Sequence, residues 1–357
     1  MIESKEKTCS DAKQPILVHD VIRSILERLS FVDFHRARCV SSAWYSASKS
    51  CMGVTNPKTP WIILFPDGNS CKLYDPLDHK SYTIKDDHLG FDFATSRCLA
   101  SSGSWFLMLV HRSDFYLVNL FTRERLPLPS MESFEDVRVG SAVLWVDETS
   151  RDYLVVWSSA SSFAYYKKGD NNQETWKLLN PFKNHEVGCV DMVFKQGKLY
   201  VLGTTRNVTV VDFSGSDSPM ECASLPPTRN FLHRPHLNNI AVTLSGEILI
   251  IASVELSPGR RIFNVFKLDP KSSAWISTNS IGDQVLLLDL GITVAAKDGV
   301  MRNCIYFSLC KDDNRLCVYH INTGKVIQVF DHLTASSPIH FKDARWFFPT
   351  FGGRWLH

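Results

Sequence analysis

The hydrophobic pattern of the chain changes period once, between residues 50 and 61. Before that point, apolar residues recur at the spacing of one face of an α-helix. This set comprises Val18, Val21, Ile22, Ile25, Leu26 and Leu29. After that point, apolar residues come in short runs bounded by turn residues, which is typical of β-strands. The pattern therefore predicts a small helical module followed by a long, mainly β domain.

Two further helices are predicted in the N-terminal module. Asp33 is expected to cap a helix that runs through Phe34, and Ser41 is expected to cap a third helix that carries Trp44. Three helices in about 35 residues bury too little surface to fold alone. Another surface is therefore expected to cover the apolar helical face.

A long repeat organises the β domain. Each unit has an apolar strand, and these strands are residues 61–65, 105–110, 153–157, 199–203, 248–252 and 304–309. Partner strands begin near Cys71, Asp114, Ser162, Asn207, Ile262 and Arg315, so their onsets are 43 to 55 residues apart. Propeller repeats span ~40 to 50 residues, with four strands in each blade. The spacing predicts a six-bladed β-propeller, and two stacked β-sandwiches are the alternative.

The innermost and outermost strands of the units can also be placed. Innermost strands are predicted at residues 98–100, 142–146, 190–194, 240–244 and 292–296, and residues 125–129 read as an outer edge because proline is tolerated there. The first unit lacks an innermost strand. Residues 344–348 form the one apolar run left unassigned, so we expect the C-terminus to close a propeller that spans residues 61–350.

The N-terminal module resembles an F-box. The matching runs are Leu17-Val18-His19-Asp20-Val21, Ile25-Leu26-Glu27-Arg28-Leu29, Asp33-Phe34 and Cys39-Val40-Ser41-Ser42-Ala43-Trp44-Tyr45. Val18 and Ser30 stand where this family usually has proline. The resemblance implies that residues 16–52 dock on a Skp-type adaptor, which links the chain to a cullin ubiquitin ligase. The adaptor-binding residues that it implies are Leu17, Asp20, Val21, Ile25, Leu26, Leu29, Phe34, Val40 and Trp44.

The β domain resembles a plant-specific family of kelch-like, propeller-type domains that follow F-boxes and have no known biochemical function. The matching blocks include Cys71-Lys72-Leu73-Tyr74-Asp75-Pro76, Leu288-Asp289-Leu290-Gly291 and Asn303-Cys304-Ile305-Tyr306-Phe307. With the F-box and a linker at 53–60, the resemblance covers about residues 16–350. The resemblance includes no catalytic motif. It therefore implies a fold and a position after an F-box, and it implies no reaction.

Charge and hydropathy narrow the class of partner. The formal net charge is +2, and residues 61–357 hold 30 Lys and Arg against 31 Asp and Glu. A near-neutral main domain argues against nucleic acid as the principal partner. No run approaches 18 apolar residues, so no membrane association is expected, and residues 1–15 are expected to form a disordered, solvated tail.

The ten cysteines are scattered and form no Cys-x-x-Cys pair. Cys304, Cys310, Cys317 and His320 lie close in sequence, but zinc ligands are usually two to four residues apart. Buried free thiols are the favoured interpretation, and they suit the cytoplasm and/or the nucleus. No metal and no other cofactor is therefore expected.

Motifs of enzymes are absent from the sequence. It contains no Gly-x-Ser-x-Gly elbow, no phosphate-binding Gly-rich loop and no His-Glu-x-x-His. His233 and His236 flank Pro235, which favours a loop over a metal-binding helix. The sequence therefore predicts a protein without catalytic activity.

Long connections between units suggest where a target binds. A crossing from the outer strand of one blade to the inner strand of the next needs about four or five residues. The predicted crossings are longer, at residues 85–97, 130–140, 180–189, 226–239, 280–290 and 331–343, and they are joined on one face by a loop at 253–261. This face would present Phe91, Phe93, Phe134, Arg138, Phe182, His185, Arg229, Phe231, His233 and Arg234. Aromatic and Arg residues are enriched in interfaces, whereas simple packing over the blades is the alternative.

The function that the two resemblances imply is substrate recognition within a Skp-cullin-F-box ubiquitin ligase. The helical module would dock the adaptor, and Arg229, Phe231, His233 and Arg234 would bind a target protein. The competing hypothesis is a propeller that binds or transforms a small molecule and keeps a vestigial F-box. An acid-lined central pocket would favour that second hypothesis.

Overall fold

The structure is a computed structural model. It describes residues 19–51, 59–66, 68–76, 79–85, 93–111, 114–131, 134, 138–159, 162–168, 175–180, 188–215, 218–228, 237–257, 260–296, 300–309, 315–328 and 341–349. The chain divides into two units, one of Met1–Pro57 with Phe351–His357 and one of Lys58–Thr350. The predicted tail and most of the predicted linker at 53–60 lie outside the described residues.

The first unit contains three helices: α1 at His19–Leu26, α2 at Phe31–Arg38 and α3 at Ser42–Ser50. Ser41 caps α3 as predicted, since its side chain accepts a hydrogen bond from the backbone N–H of Trp44. The predicted cap at Asp33 is wrong, because Ser30 caps α2 and Asp33 lies inside it. The Ser30 hydroxyl accepts from the Asp33 N–H and donates to the Asp33 carboxylate. Both bonds join the N-cap hydroxyl to Asp33 in the first turn of α2, and the capping residue stands where proline is usual.

The second unit contains the strands. Blade 1 has β1 at Trp61–Pro66, β2 at Ser70–Asp75 and β3 at Lys80–Lys85; blade 2 has β4 at Ser96–Ser102, β5 at Trp105–Val110, β6 at Asp114–Asn119 and β7 at Glu124–Pro127; blade 3 has β8 at Ser141–Val146, β9 at Tyr153–Ser158, β10 at Phe163–Lys167 and β11 at Lys177–Leu178. Blade 4 has β12 at Cys189–Lys195, β13 at Lys198–Gly203, β14 at Val208–Asp212 and β15 at Met220–Leu225; blade 5 has β16 at Leu237–Val242, β17 at Ile248–Ser257, β18 at Arg260–Leu268 and β19 at Trp275–Thr278. Blade 6 has β20 at Gln284–Leu287, β21 at Ile292–Ala295, β22 at Cys304–Leu309, β23 at Arg315–His320 and β24 at Lys325–Gln328, and the last strand is β25 at Phe341–Phe347.

Six units of paired strands form a ring closed by β25, all of them antiparallel except at the inner edge of blade 6, and they confirm the predicted β-propeller. Each predicted apolar strand forms the second strand of its blade, and the predicted partner strands pair with it. Separate apolar clusters lie between neighbouring blades, as between blades 2 and 3 around Trp157 and between blades 3 and 4 around Val156. Within the described residues, one such cluster lies at each of the five junctions from blade 2 through blade 6 to blade 1, which fits a ring and does not fit two stacked sandwiches.

The C-terminal strand closes the ring as predicted. β25 pairs antiparallel with β1, with Trp61 opposite Phe347 and Leu64 opposite Ala344. It therefore supplies the innermost strand that the first unit lacks in sequence. The pairing removes the open edge of β1 that would otherwise present unpaired backbone groups.

Blade 6 differs from the prediction. Residues 292–296 were expected to be its innermost strand, but β20 lies beside β22 instead, in a parallel pair. β21 folds back on β20 and reaches blade 5, where Ile292 pairs with Val242. Part of the predicted crossing at 280–290 is therefore a strand. The loop predicted at 253–261 is likewise wrong, since β17 and β18 continue as a paired hairpin through Glu255 and Arg261.

Candidate functional site

The outer face of α1 forms a shallow surface depression. It is lined by Asp20, Val21, Ser24, Ile25, Arg28 and Leu29, and we call this set the α1 surface. Val21 is 50% exposed and Ile25 is 38% exposed, so two neighbouring apolar side chains of the depression are accessible to a partner. Asp20, Val21, Ile25 and Leu29 were predicted from the sequence. Ser24 and Arg28 were missed because neither belongs to the apolar stripe.

The inner face of the same helix holds the module together. Ile22 and Leu26 are buried with Phe34, Ala47 and Cys51 in one small core. The predicted apolar stripe is thus divided between two faces, with Ile22 and Leu26 inside the module and Val21 and Ile25 outside it. Two of the predicted adaptor-binding residues, Leu26 and Phe34, point into this core rather than toward the outer surface.

The other predicted residues of the module lie in different environments. Trp44 is half-buried and packs against the core from α3, whereas Val40 is 70% exposed between α2 and α3. Leu17 lies outside the described residues. Burial and the nearby Arg38 lower the pKa of His35 to about 3, so this imidazole is neutral at physiological pH.

The predicted target-binding residues Arg229, Phe231, His233 and Arg234 lie outside the described residues, but the ends of their crossing are described. At the outer end, the indole N–H of Trp275 donates to the Pro226 carbonyl oxygen at 2.8 Å. At the inner end, one carboxylate oxygen of Asp191 accepts from the Asn239 side chain at 3.0 Å and from the Ile240 N–H at 3.1 Å. Residues of blades 4 and 5 therefore hold both ends of the crossing.

Two aromatic residues predicted for the same face have packing roles. Phe93 is fully buried, and its ring centroid lies 6.1 Å from that of Phe65. Phe134 packs edge-on against Trp157 at 5.0 Å. Arg138 is exposed, as predicted. The packing alternative therefore holds for Phe93 and Phe134, because apolar clusters under long loops bury their aromatic rings.

Three carboxylates line the centre of the propeller. Asp191 is on β12, Asp289 lies on a single 3-10 turn at Leu288–Leu290, and Asp343 is on β25. Each keeps some accessible surface, although desolvation has the largest influence on its pKa. Desolvation raises the pKa of Asp191 and of Asp289 to about 6, and it also raises the pKa of Asp343.

Each central carboxylate accepts a backbone N–H from the neighbouring blade. Asp343 accepts from Cys98 at 3.0 Å, Asp191 accepts from Ile240, and Asp289 accepts from Trp346. Arg345 lies among them, donates to the Cys98 carbonyl at 3.2 Å, and lowers the pKa of all three acids by its charge. The three carboxylates therefore connect neighbouring blades through hydrogen bonds. Sequence analysis missed it because the partners are 49 to 245 residues apart.

The remaining chemistry of the described residues is sparse. No group of three His, Cys, Asp or Glu side chains there is arranged to hold a metal ion, and the cysteines there are free thiols. Burial raises the pKa of the Cys71, Cys98 and Cys189 thiols, which keeps them protonated. None of the helices within the described ranges is long and apolar enough to cross a membrane.

Comparison with known proteins gives the same division of the chain. The F-box domain family matches residues 15–53, and the KIB1-4 beta-propeller family matches residues 73–330. F-box protein KIB4 of Arabidopsis thaliana is 57% identical over 99% of this chain and 100% of its own length. The Arabidopsis F-box/kelch-repeat protein KIB1 is 54% identical over 100% of this chain and 97% of its own. F-box protein KIB2 of the same plant is also 54% identical, over 100% of this chain and 89% of its own.

Proposed function

Because this chain belongs to the plant F-box proteins that carry a KIB1-4 β-propeller, we propose that it is the substrate receptor of a Skp-cullin-F-box ubiquitin ligase. Membership of this family supports the role of a substrate receptor that does not itself catalyse a reaction. The finer proposal is that the helical module docks a Skp-type adaptor, that the adaptor connects the chain to a cullin, and that the propeller binds a target protein.

One observation carries the docking proposal. The helical module has a small core of its own, yet Val21 and Ile25 remain exposed on the α1 surface. Burying the part of each side chain that is still exposed would contribute roughly 1 kcal/mol to association, less than the value for a fully exposed side chain. An apolar strip flanked by Asp20 and Arg28 suits an adaptor helix with an apolar face and polar edges.

The target proposal rests on the crossing at 226–239. Trp275 and Asp191 hold its two ends, so that Arg229, Phe231, His233 and Arg234 belong to a connection anchored on rigid blades. Anchoring lowers the entropy lost when a loop binds a partner. We propose these four residues as the target-binding set. The ligase would work in the cytoplasm and/or the nucleus, in keeping with the free cysteines of the described residues.

Affinity purification of the intact chain from plant cells tests this proposal. Adaptor and cullin should co-purify with the wild-type chain. Replacement of Arg229 and Phe231 by Ala should remove the principal target, because loss of a hot-spot residue costs about 2 kcal/mol or more. Adaptor should still co-purify with this variant. The matched control replaces Asn171 and Asn172 by Ala. Retention of every captured protein by both variants would exclude the crossing as the recognition site.

A second candidate function has one observation in its favour. Asp191, Asp289 and Asp343 lie on the inner elements of the propeller, and a desolvated acidic cluster suits a small cationic ligand. However, each carboxylate already accepts a backbone N–H from a neighbouring blade, and Arg345 offsets part of their charge. Receptor function is therefore the better supported proposal.

A further inference from the structure

The second strand of blade 5 is longer than its counterparts in the ring. β17 has 10 residues, whereas the second strands of the other five blades have 6 each within the described residues. At about 3.3 Å per residue, the extra length is roughly 13 Å of strand. β17 and β18 therefore extend as a hairpin past the start of β16, on the face where the crossings between blades lie.

The inner edge of this hairpin has no strand beside it within the described residues. β16 pairs with β17 only as far as Leu237 opposite Ser253, and beyond that point Val254 and Glu255 pair with β18 alone. The chain itself is a poor continuation of the ladder. The same register would bring Pro235 opposite Glu255, and proline has no backbone N–H to donate. The backbone groups at this edge are therefore available to a strand from another chain.

The outer edge of the hairpin is already in use. β19 pairs with β18 from Val265 to Leu268. Next to that ladder, the Tyr319 hydroxyl of blade 6 donates to the Phe263 carbonyl oxygen at 3.3 Å. An added strand on this side would compete with that bond. The inner edge is therefore the one that a partner can extend.

Side chains along the inner edge specify the class of segment that fits. Val254 and Ile262 are opposite each other on one face of the hairpin and are half-buried. Glu255 and Arg261 form an ion pair of 3.8 Å on the other face, and the Glu255 side chain remains 44% exposed. On an added strand, a residue beside Val254 shares its apolar face, and a residue beside Glu255 meets its carboxylate. A segment that alternates apolar residues with Lys or Arg complements both faces.

Two exposed leucines flank the open edge. Leu237, the first residue of β16, is 50% exposed. At the other end, the register between β17 and β18 shifts between Glu255 and Ser257, so Leu256 is the extra residue of a β-bulge, and it is 53% exposed. Bulges are frequent beside functional sites, where they re-aim a side chain. Both leucines supply apolar contact area to a strand placed between them.

We propose that the inner edge of β17, at Val254, Glu255 and Leu256, binds an extended segment of the target protein in which apolar residues alternate with Lys or Arg. The inference rests on the proposed function, because it names the class of segment that a target presents. In binding by strand addition, main-chain hydrogen bonds provide affinity and alternate side chains provide specificity. The target segment adds to blade 5 as a short strand beside β17.

Binding of synthetic peptides to the purified full chain tests this inference. The probe is the fluorescein-labelled peptide Thr-Val-Lys-Val-Lys-Val-Thr, compared by fluorescence anisotropy with a peptide that carries Glu in place of both lysines. The wild type should bind the lysine peptide about tenfold more tightly, because opposite charges on neighbouring strands attract. Glu255→Lys should reverse this preference. The control is Glu247→Lys, which also removes an ion-paired Glu from blade 5, at Lys267, and should keep the wild-type preference.

Two N-methylated peptides test whether the backbone edge takes part. Methylation of the valine N–H groups and methylation of the lysine N–H groups remove donors from opposite edges of the extended peptide. Only one of the two should lose binding, by about tenfold or more, because a single edge of the peptide pairs with β17. Equal binding by the two methylated peptides, or an unchanged charge preference in Glu255→Lys, would overturn the inference.

The same variants separate this inference from the proposed function. In affinity purification from plant cells, Glu255→Lys should capture the principal target about fivefold less than Glu247→Lys, while both retain the Skp-type adaptor. If the two variants capture the target equally, this edge is not its binding site and the receptor function stands. If the wild-type chain binds the lysine peptide but captures neither adaptor nor target, the receptor function is overturned, while the edge still binds such a segment.

Discussion

The indole N–H of Trp275 donates a hydrogen bond to the carbonyl oxygen of Pro226, and the two atoms lie 2.8 Å apart. The bond joins the outer strand of blade 5 to the first residue of the crossing that leaves blade 4. The same relationship recurs on blade 3, where Trp176 donates to Pro129 at 2.9 Å. Tryptophan at this position thus fastens the outer end of the preceding crossing.

Trp275→Phe should weaken target capture by about five- to tenfold, because phenylalanine preserves the packing of the ring but leaves the Pro226 carbonyl without its donor. Quantitative mass spectrometry of affinity-purified complexes measures this loss. Trp176→Phe removes the equivalent bond from a crossing without the proposed target-binding residues, so it should change capture little. Equal losses in the two variants would argue against a special role for the crossing at 226–239.

Deletion of residues 343–357 should leave β1 without its inner partner. The unpaired edge should cause aggregation and a protease sensitivity that spreads beyond the tail. Limited proteolysis and light scattering of the purified proteins measure both effects. Deletion of residues 351–357 alone keeps β25 and provides the control. A 343–357 deletion that melts and digests like the full chain would show that the ring does not depend on β25.

Asp289→Asn should stabilise the propeller at neutral pH. Burial raises the pKa of Asp289 to about 6, above the usual 3.8, so the folded state loses stability as the pH rises through about 6. Asparagine removes that charge, keeps an oxygen for the Trp346 N–H and can donate to Ser308. We expect its Tm to exceed the wild-type Tm by about 2–4 °C at pH 7.5, and the difference to shrink toward pH 4.

Asp212→Asn is the control for this pH effect. Its expected effect on stability at neutral pH has the opposite sign. Hydrogen bonds from Ser214 lower the pKa of Asp212, so its charge adds stability that is lost as the pH falls through the folded-state pKa. This variant should melt at or below the wild-type temperature at pH 7.5. The measurement is the Tm of the wild type, Asp289→Asn and Asp212→Asn between pH 4 and pH 7.5. A lower Tm for Asp289→Asn at neutral pH would contradict the assigned cost of burying this carboxylate.

Gly291→Ala should destabilise the centre of the ring. Gly291 has a φ of +63°, and an added Cβ would lie 2.1 Å from the Val193 Cγ2 and 2.8 Å from the Ile240 carbonyl oxygen. Overpacking and the left-handed backbone together cost about 3 kcal/mol. Gly282→Ala is the control, because Gly282 also has a positive φ but an added Cβ meets nothing within 4 Å. Equal Tm values for the two variants would contradict the close approach at Gly291.

Local periodicity was enough to predict most of the blades. The apolar runs that became β5 and β9 are long and bounded by turn residues, so their length and spacing were readable. β20 was missed because it has four residues and follows Gly282-Asp283, which reads as a turn. Its parallel pairing with β22 depends on the backbone path through Gly291, and no local pattern encodes that path.

The division of the α1 stripe was also beyond sequence reasoning. Ile22 and Ile25 lie three positions apart in one apolar stripe, yet Ile22 is 2% exposed and Ile25 is 38% exposed. Which half of a wide stripe is buried depends on where α3 packs, and that is a tertiary contact. Substitutions at Leu26 and Leu29 would therefore damage the module core, whereas substitutions at Val21 and Ile25 test the outer surface.

The affinity of the full chain for a purified Skp-type adaptor, measured by isothermal titration calorimetry, tests the central claim most directly. Val21→Asp with Ile25→Asp should weaken binding by at least about a hundredfold, because two charges would enter an apolar interface without partners. The control places Asp at Leu178 and Ile276, which are 68% and 49% exposed on the propeller, and it should bind like the wild type. Wild-type affinity in the Val21 and Ile25 variant, or no adaptor binding by the unmodified chain, would contradict the account.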